Sequence, residues 1–386
     1  ANDIVLVASV ASPAPGPGSG PSPDPTPPAP LPPAAPTTPA VPETPSAPPR
    51  SGVIDMSQPS FGNDDGPVNS STVTFDGGTL KPTAPLALNQ TINVSGNNGT
   101  IDPNGSSVSL AGAVTGDGQL TVNGQGTLNV TNSVANSGGV SVQSGNLNIG
   151  AGGAVSTAVT VEGGSVTVGE GGTVSEQVTV GGGSVTVGQG GSVTAPVTVN
   201  GGRVVIDQGG SVNGAMTLAE GGAAQVNGEV AGQVSVGSGA TLGGSGLING
   251  DTSVSGILAP GNSPGTLVFA GPVTLNAGSR YLVEIDGMGL GAGAGNHDRV
   301  VVAGAGFAAG GRLTPVLRGI GGDATNTFSP ALGQSFTVVE AEGGVSGRFA
   351  TLDQPAEGLG AGTRLDVFYG PATVTLGVTP ASYADL

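Results

Sequence analysis

The chain of 386 residues contains no cysteine and no tryptophan. It therefore forms no disulfide, needs no oxidising compartment and has no thiol nucleophile or thiolate metal ligand. Histidine occurs once, at His297. With one imidazole and no thiol, no residue pattern here supports a nucleophilic triad or a metal cluster. Aromatic residues make up 3% and charged residues 9% of the chain, which excludes an ordinary enzyme core rich in Leu and Phe. Basic residues are scarce, nine against 26 acidic ones, for a net charge of −17. The cations that neutralise phosphates are missing, so nucleic acid is not expected as a partner, and anionic lipid is disfavoured. No apolar run approaches the ~20 residues of a membrane-spanning helix.

What the chain has in excess is glycine, with 74 residues, and proline, with 31. The glycines are periodic. Rows opening at Gly152, Gly171, Gly190 and Gly209 align with one another at a step of 19 residues. Each row carries alternating triplets such as Val159-Thr160-Val161 and Val166-Thr167-Val168, separated by Gly-Gly. Alternation of period two with β-branched residues predicts short strands, and a fixed step predicts a solenoid. The expected fold is all-β, a single-stranded right-handed parallel β-helix with about three strands per coil and a C-terminal β-rich cap. In that register Val159, Val178, Val197 and Met216 point inward, as do Val161, Val180, Val199 and Leu218. Thr160, Thr179, Thr198 and Thr217 form an outward column between them. Glu162 is followed at its aligned positions by Gly181, Asn200 and Ala219, so like charges do not stack.

Taken in order, residues 1–11 hold a short apolar run, Ile4 to Val7, read as an edge strand or the remnant behind a cleaved signal peptide. Residues 12–50 contain 17 prolines and read as an extended linker. Residues 51–253 are the solenoid. Leu128, Leu147 and Val166 extend the 19-residue step upstream of the clear rows. About ten coils, ~50 Å long, follow from a strand spacing near 4.8 Å. Residues 254–376 change texture. All three tyrosines, five of eight phenylalanines and six of nine basic residues lie beyond residue 270, as a cap requires. Residues 377–386 are a tail.

Within that last region, the run from Leu258 through Pro260, Gly261, Asn262, Ser263, Pro264 and Gly265 to Leu267 resembles the hallmark segment of autotransporter passenger domains, exported by type V secretion. The segments that follow it in that family match in order: Tyr281 to Asp286, then Asp298 and Arg299 to Val302, then Phe336 through Gly344 to Phe349. Gly118 to Leu128 is similar to a repeat element of the same passengers. The resemblance covers residues 70–376 loosely and 254–350 specifically. It implies a parallel β-helix reaching the surface of a Gram-negative cell through periplasm and outer membrane, with a C-terminal autochaperone segment that folds first. It also implies a translocator β-barrel as partner, which the chain, ending at Leu386, does not include.

No cofactor or metal is expected. His297, beside Asp298 at the start of a strand, reads as structural. Asp64-Asp65 is the one adjacent acidic pair, and Lys81 and Arg203 are the only basic residues between 51 and 279. A turn explains the acidic pair better than a carbohydrate-active site does. Asn98-Gly99-Thr100 matches a glycosylation sequon, a weak signal in glycine-rich turns. The expected function is non-enzymatic: an adhesin, or an aggregation, biofilm or virulence factor, meeting surface glycans, proteins or other copies of itself through the threonine column. The alternatives are an inert display scaffold and, from another class, a carbohydrate-active β-helix enzyme.

Overall fold

The computed structural model describes the backbone of residues 3–6 and 54–55, and residues 72–321 and 324–382 in full. Every regular element among them is a β-strand. Each coil is built the same way. In one coil Ala154–Val155 lies on face I, Val159–Val161 on face II and Ser165–Val168 on face III. In the next coil Thr173–Val174, Val178–Val180 and Ser184–Val187 repeat the order. Side chains alternate across each strand, so Val166 and Val168 are buried while Ser165 and Thr167 face out.

Successive coils pair in parallel and in register. Val159 sits on Val178, Val178 on Val197 and Val197 on Met216, each nearly inaccessible to solvent. Leu128, Leu147 and Val166 stack on face III. Inward columns of Val, Leu and Ile thus make one continuous thin core. Each fully buried side chain of this kind contributes ~1.5–3 kcal/mol. Faces I, II and III are sheets of 16, 14 and 13 strands.

The parallel ladder runs on through residue 254. Ile257–Pro260 stacks on Thr241–Gly244, and coils continue to Val345–Gly347 on face II and Thr351–Leu352 on face III. The region expected as a β-rich cap is therefore further coils plus a terminal hairpin. Thr363–Tyr369 and Thr373–Pro380 pair antiparallel, and the second strand joins Ser335–Ala341 of face I. The tail expected from 377 thus begins within this last strand. Tyr281 stacks on Phe349 with centroids 6.0 Å apart, and Phe307 lies 6.5 Å from both rings. The Gln354 amide donates to the Leu365 carbonyl and accepts from the Leu365 N–H, each at 2.9 Å. One residue's backbone groups on the edge strand Thr363–Tyr369 are thereby satisfied by a side chain, which blunts an edge that would otherwise template pairing.

At the other end, the backbone of Asp3–Leu6 pairs in parallel with Thr79–Pro82, the strand alternative for that apolar run. The proline-rich segment 12–50 and Asp64-Asp65 lie outside the described residues.

Candidate functional site

The threonine column is longer than the repeat rows predict. Thr160, Thr179, Thr198 and Thr217 stack as expected on face II. Upstream the column continues through Ser141, Thr121, Thr100 and Thr79. Downstream it continues through Ser235, Ser253 and Thr274, and it ends where Thr274 meets Ala308. Eleven consecutive rungs therefore present a hydroxyl, spanning ~48 Å at the usual strand spacing. No side-chain hydrogen bond among the described residues engages the hydroxyls of Thr121, Thr160, Thr179 or Thr198. Ser141 is 2% exposed, so its hydroxyl is the one rung of the column closed to solvent, and its Oγ has no partner among the described residues.

Face III carries two outward rows. Ser107 and Ser109, Thr127 and Asn129, Asn146 and Asn148, Ser165 and Thr167, and Ser184 and Thr186 occupy five successive strands. Several of these side chains bond one another. Asn148 Nδ2 donates to Asn129 Oδ1 at 3.0 Å, and Asn129 Nδ2 to Ser107 Oγ at 2.8 Å. Between faces II and III the chain turns at glycines, and the missing side chains leave a trough of about 450 Å³. Gly124, Gln125, Gly126, Ser144, Gly145, Asn146, Gly163, Gly164, Ser165 and Ser184 line it. A Cβ on Gly164 would come within 2.6 Å of the Gly145 carbonyl oxygen. Close approach of successive coils therefore requires glycine at that position.

The residues of the hallmark segment converge at the corner between faces III and I, where they act as structural ties. Leu258 is buried between Leu242 and Tyr281. Pro260 pairs with Gly244. Gly261 exchanges backbone hydrogen bonds with Gly244 at 2.7 and 3.2 Å. It has φ +85°, and a Cβ there would meet Gly265 N at 2.2 Å. Asn262 Nδ2 donates to Asn227 Oδ1 at 3.0 Å, while Asn262 Oδ1 accepts from Gln225. The Ser263–Pro264 peptide is cis. The Pro264 carbonyl accepts from Gly293 N at 2.9 Å.

Asp298 fastens this loop. Its carboxylate accepts from Gly265 N at 2.7 Å and from Glu284 N at 2.9 Å. Burial pushes its pKa up to about 8, against the two N–H donors and with help from the nearby Glu284 charge. Burial also raises Glu284. Arg299 donates to Thr266 Oγ1 and pairs with Glu340 at 3.2 Å. Gly344, at φ +92°, turns the chain after Ala341, and Phe349 N donates to the Tyr369 hydroxyl at 2.8 Å.

Two ties here were not read as sites. Asp286 accepts from Gly295 N, Thr325 N, Thr325 Oγ1 and Asn326 N. Burial would raise it, but these donors hold its pKa below the ordinary value. His297 is buried, with Nδ1 and Nε2 each 3.3 Å from a carbonyl oxygen, of Gly287 and Thr337. Burial lowers its pKa. Both residues hold loops 287–296 and 324–334 against the coils. Their partners lie up to 40 residues away, which no local motif announces.

Among the described residues no three His, Cys, Asp or Glu side chains converge as a metal site, and no helix is long and apolar enough to cross a membrane. Lys81, one of the two basic residues between 51 and 279, pairs with Asp102 at 2.9 Å. No protein-family model and no curated protein matches this chain. Among solved structures, one similar chain is a crystal structure of a TibC-catalysed, hyper-glycosylated TibA fragment covering residues 55 to 350 of that protein. Identity is 21%, the match covers 70% of this chain and 100% of that chain, and the TM-score is 0.33. The chain itself is a parallel β-solenoid, the architecture that the sequence resemblance implies.

Proposed function

We propose that this chain is the passenger of an autotransporter, displayed on the surface of a Gram-negative cell, where its coils serve as a non-enzymatic adhesive surface. The observation that carries this reading is the column of eleven hydroxyls on face II, ten of which are open to solvent, the buried Ser141 being the exception. A rung repeated at ~4.8 Å along one face offers the same hydrogen-bonding group many times over. Each contact is weak, about 0.5–1.5 kcal/mol net, and repetition turns weak contacts into avidity. The order of hallmark segments from Leu258 to Phe349 supports export, and their placement as ties of the last coils supports a C-terminal end that folds as a unit. Aggregation and biofilm formation are the outcomes such a surface favours.

The test is display of the full chain on an outer-membrane barrel, scored by cell settling and attachment. One comparison is the barrel alone. Another is a chain carrying Thr160→Arg and Thr198→Arg, two coils apart so that the new charges do not stack. The reading expects the full chain to promote settling or attachment, and the paired variant to lose it while remaining folded by circular dichroism. Equal behaviour of the full chain and the bare barrel would instead make the coils a spacer or display scaffold.

A further inference from the structure

The uncharged character of one corner is out of proportion to the rest of the chain. Across the four strand pairs from Leu120–Val130 to Val178–Val187, faces II and III and the corner between them carry a single charged side chain, Glu162. The chain as a whole has net charge −17. In the same four coils, hydrogen-bonding groups are left without partners among the described residues: the side chains of Gln125, Thr160, Thr167, Thr179, Ser184 and Thr186. The trough of about 450 Å³ runs along this corner, parallel to the stacking direction. On face II of the same coils, Ser141 Oγ is buried and has no partner among the described residues, in the rung between Thr121 and Thr160. An unsatisfied buried hydroxyl is uncommon in a folded chain, and here it adjoins a row of open hydrogen-bonding groups.

We infer that this corner binds a linear, uncharged polysaccharide laid along the solenoid axis. The inference deepens the adhesive reading above and rests on it. The chemistry of the lining selects the ligand. Hydroxyl, carboxamide and backbone groups are at once donors and acceptors, as sugar hydroxyls are. No Lys or Arg lies within these four coils to hold a sulfate, phosphate or carboxylate. Arg203 stacks on Ser184 from the next coil, and its guanidinium donates onward to Gln225 Oε1 of the coil beyond. The acidic chain repels polyanions and leaves them no counter-charge to meet. A repeating polymer also matches a repeating wall. Each coil meets the next sugar unit with an equivalent set of groups, so affinity grows with chain length until the trough is filled.

The experiment measures binding of the full chain to an unbranched neutral β-glucan, to an α-mannan and to dextran, with dextran sulfate as the charge control. Oligosaccharides of increasing length are titrated for whichever polymer binds. Gln125→Glu and Ser184→Glu, made separately, place a carboxylate at the trough. Thr173→Glu places one on the exposed strand of face I in the same coil as Val178. The inference expects one of the neutral polymers to bind and dextran sulfate not to, with affinity rising from trimer to octamer. It expects each trough variant to weaken binding by at least about tenfold, or ~1.4 kcal/mol, and the face I variant to leave it within about twofold. Equal unfolding midpoints of the three variants exclude misfolding as the cause. Absence of binding to every neutral polymer overturns the inference, as does binding that the trough variants do not weaken. If displayed cells still adhere in either case, the adhesive reading survives and only its proposed ligand is lost. If displayed cells do not adhere at all, the underlying reading fails with it.

Discussion

Replacing Val178 with Asp puts a carboxylate into the middle of an inward column. Val178 is 1% exposed and packed between Val159 and Val197 of the neighbouring coils. Losing its burial removes ~1.5–3 kcal/mol. The new carboxyl has no partner in that wall of valines and becomes protonated in the folded state, its pKa raised by ~3–5 units. In the unfolded chain it ionises near 3.9, so at pH 7 the folded state forgoes about 4 kcal/mol more. The expected loss is ~6 kcal/mol at pH 7. The sign of its pH dependence is set by the raised folded pKa. The penalty is absent below the unfolded value and grows as pH rises through 4 to 7, so about 4 kcal/mol should return at pH 4. Urea unfolding at the two pH values, monitored by far-UV circular dichroism, measures both quantities. Thr179→Asp is the control, one residue along and facing out, and should change stability by less than about 1 kcal/mol. An unchanged midpoint for Val178→Asp at pH 7, or equal effects of the two variants, would refute the inward–outward assignment.

Other expectations concern the last coils. Asp298 has a folded pKa raised to about 8, so its contribution to stability is fully present in acid. That contribution declines as pH rises from about 4 to about 8. Thermal midpoints between pH 5 and 9 should show this slope in the native chain and lose it in Asp298→Asn. His297, whose pKa is lowered, acts with the opposite sign and is read from the same scan with His297→Gln. Asp286 is also lowered, so its contribution is lost only as pH falls below about 4, and Asp286→Asn is compared with the native chain in a scan extended to about pH 2. Gly261→Ala forces a side chain into φ +85° and against Gly265 N, and should cost ~1–3 kcal/mol in urea unfolding. Tyr281→Phe removes the hydroxyl that donates to the Val338 carbonyl at 2.5 Å. It should destabilise by ~1–3 kcal/mol, because a buried acceptor is left unpaired.

The coil was legible because its strongest signals are local. Val159-Thr160-Val161 shows which side chains face in, and the 19-residue step from Leu128 through Leu147 to Val166 shows what stacks on what. The full hydroxyl column escaped that reading because the step is not constant. It is 21 residues from Thr100 to Thr121, 18 from Ser235 to Ser253 and 21 from Ser253 to Thr274. Extra or missing residues are absorbed at the corners, so the strands keep register in space while the rows slip in sequence. The trough was illegible for another reason. It exists because Gly145, Gly163 and Gly164 lack side chains beside one another, and adjacency across coils is a property of the fold. The ties made by Asp286 and Asp298 reach 33 to 40 residues along the chain. They rest on burial and backbone donors, neither of which a motif displays.

The absence of cysteine makes one measurement unusually direct. Two introduced thiols are the only thiols in the molecule. Thr179 and Thr198 occupy adjacent rungs of the column, and Thr160 and Thr198 are two rungs apart. Adjacent rungs place Cα atoms within the ~4.4–6.8 Å that a disulfide spans, whereas two rungs, near 10 Å, exceed it. Under mild oxidation, thiol titration should therefore show rapid closure in Thr179→Cys/Thr198→Cys and two persistent free thiols in Thr160→Cys/Thr198→Cys. Equal closure in both pairs, or none in the first, would contradict a column of hydroxyls stacked one coil upon the next.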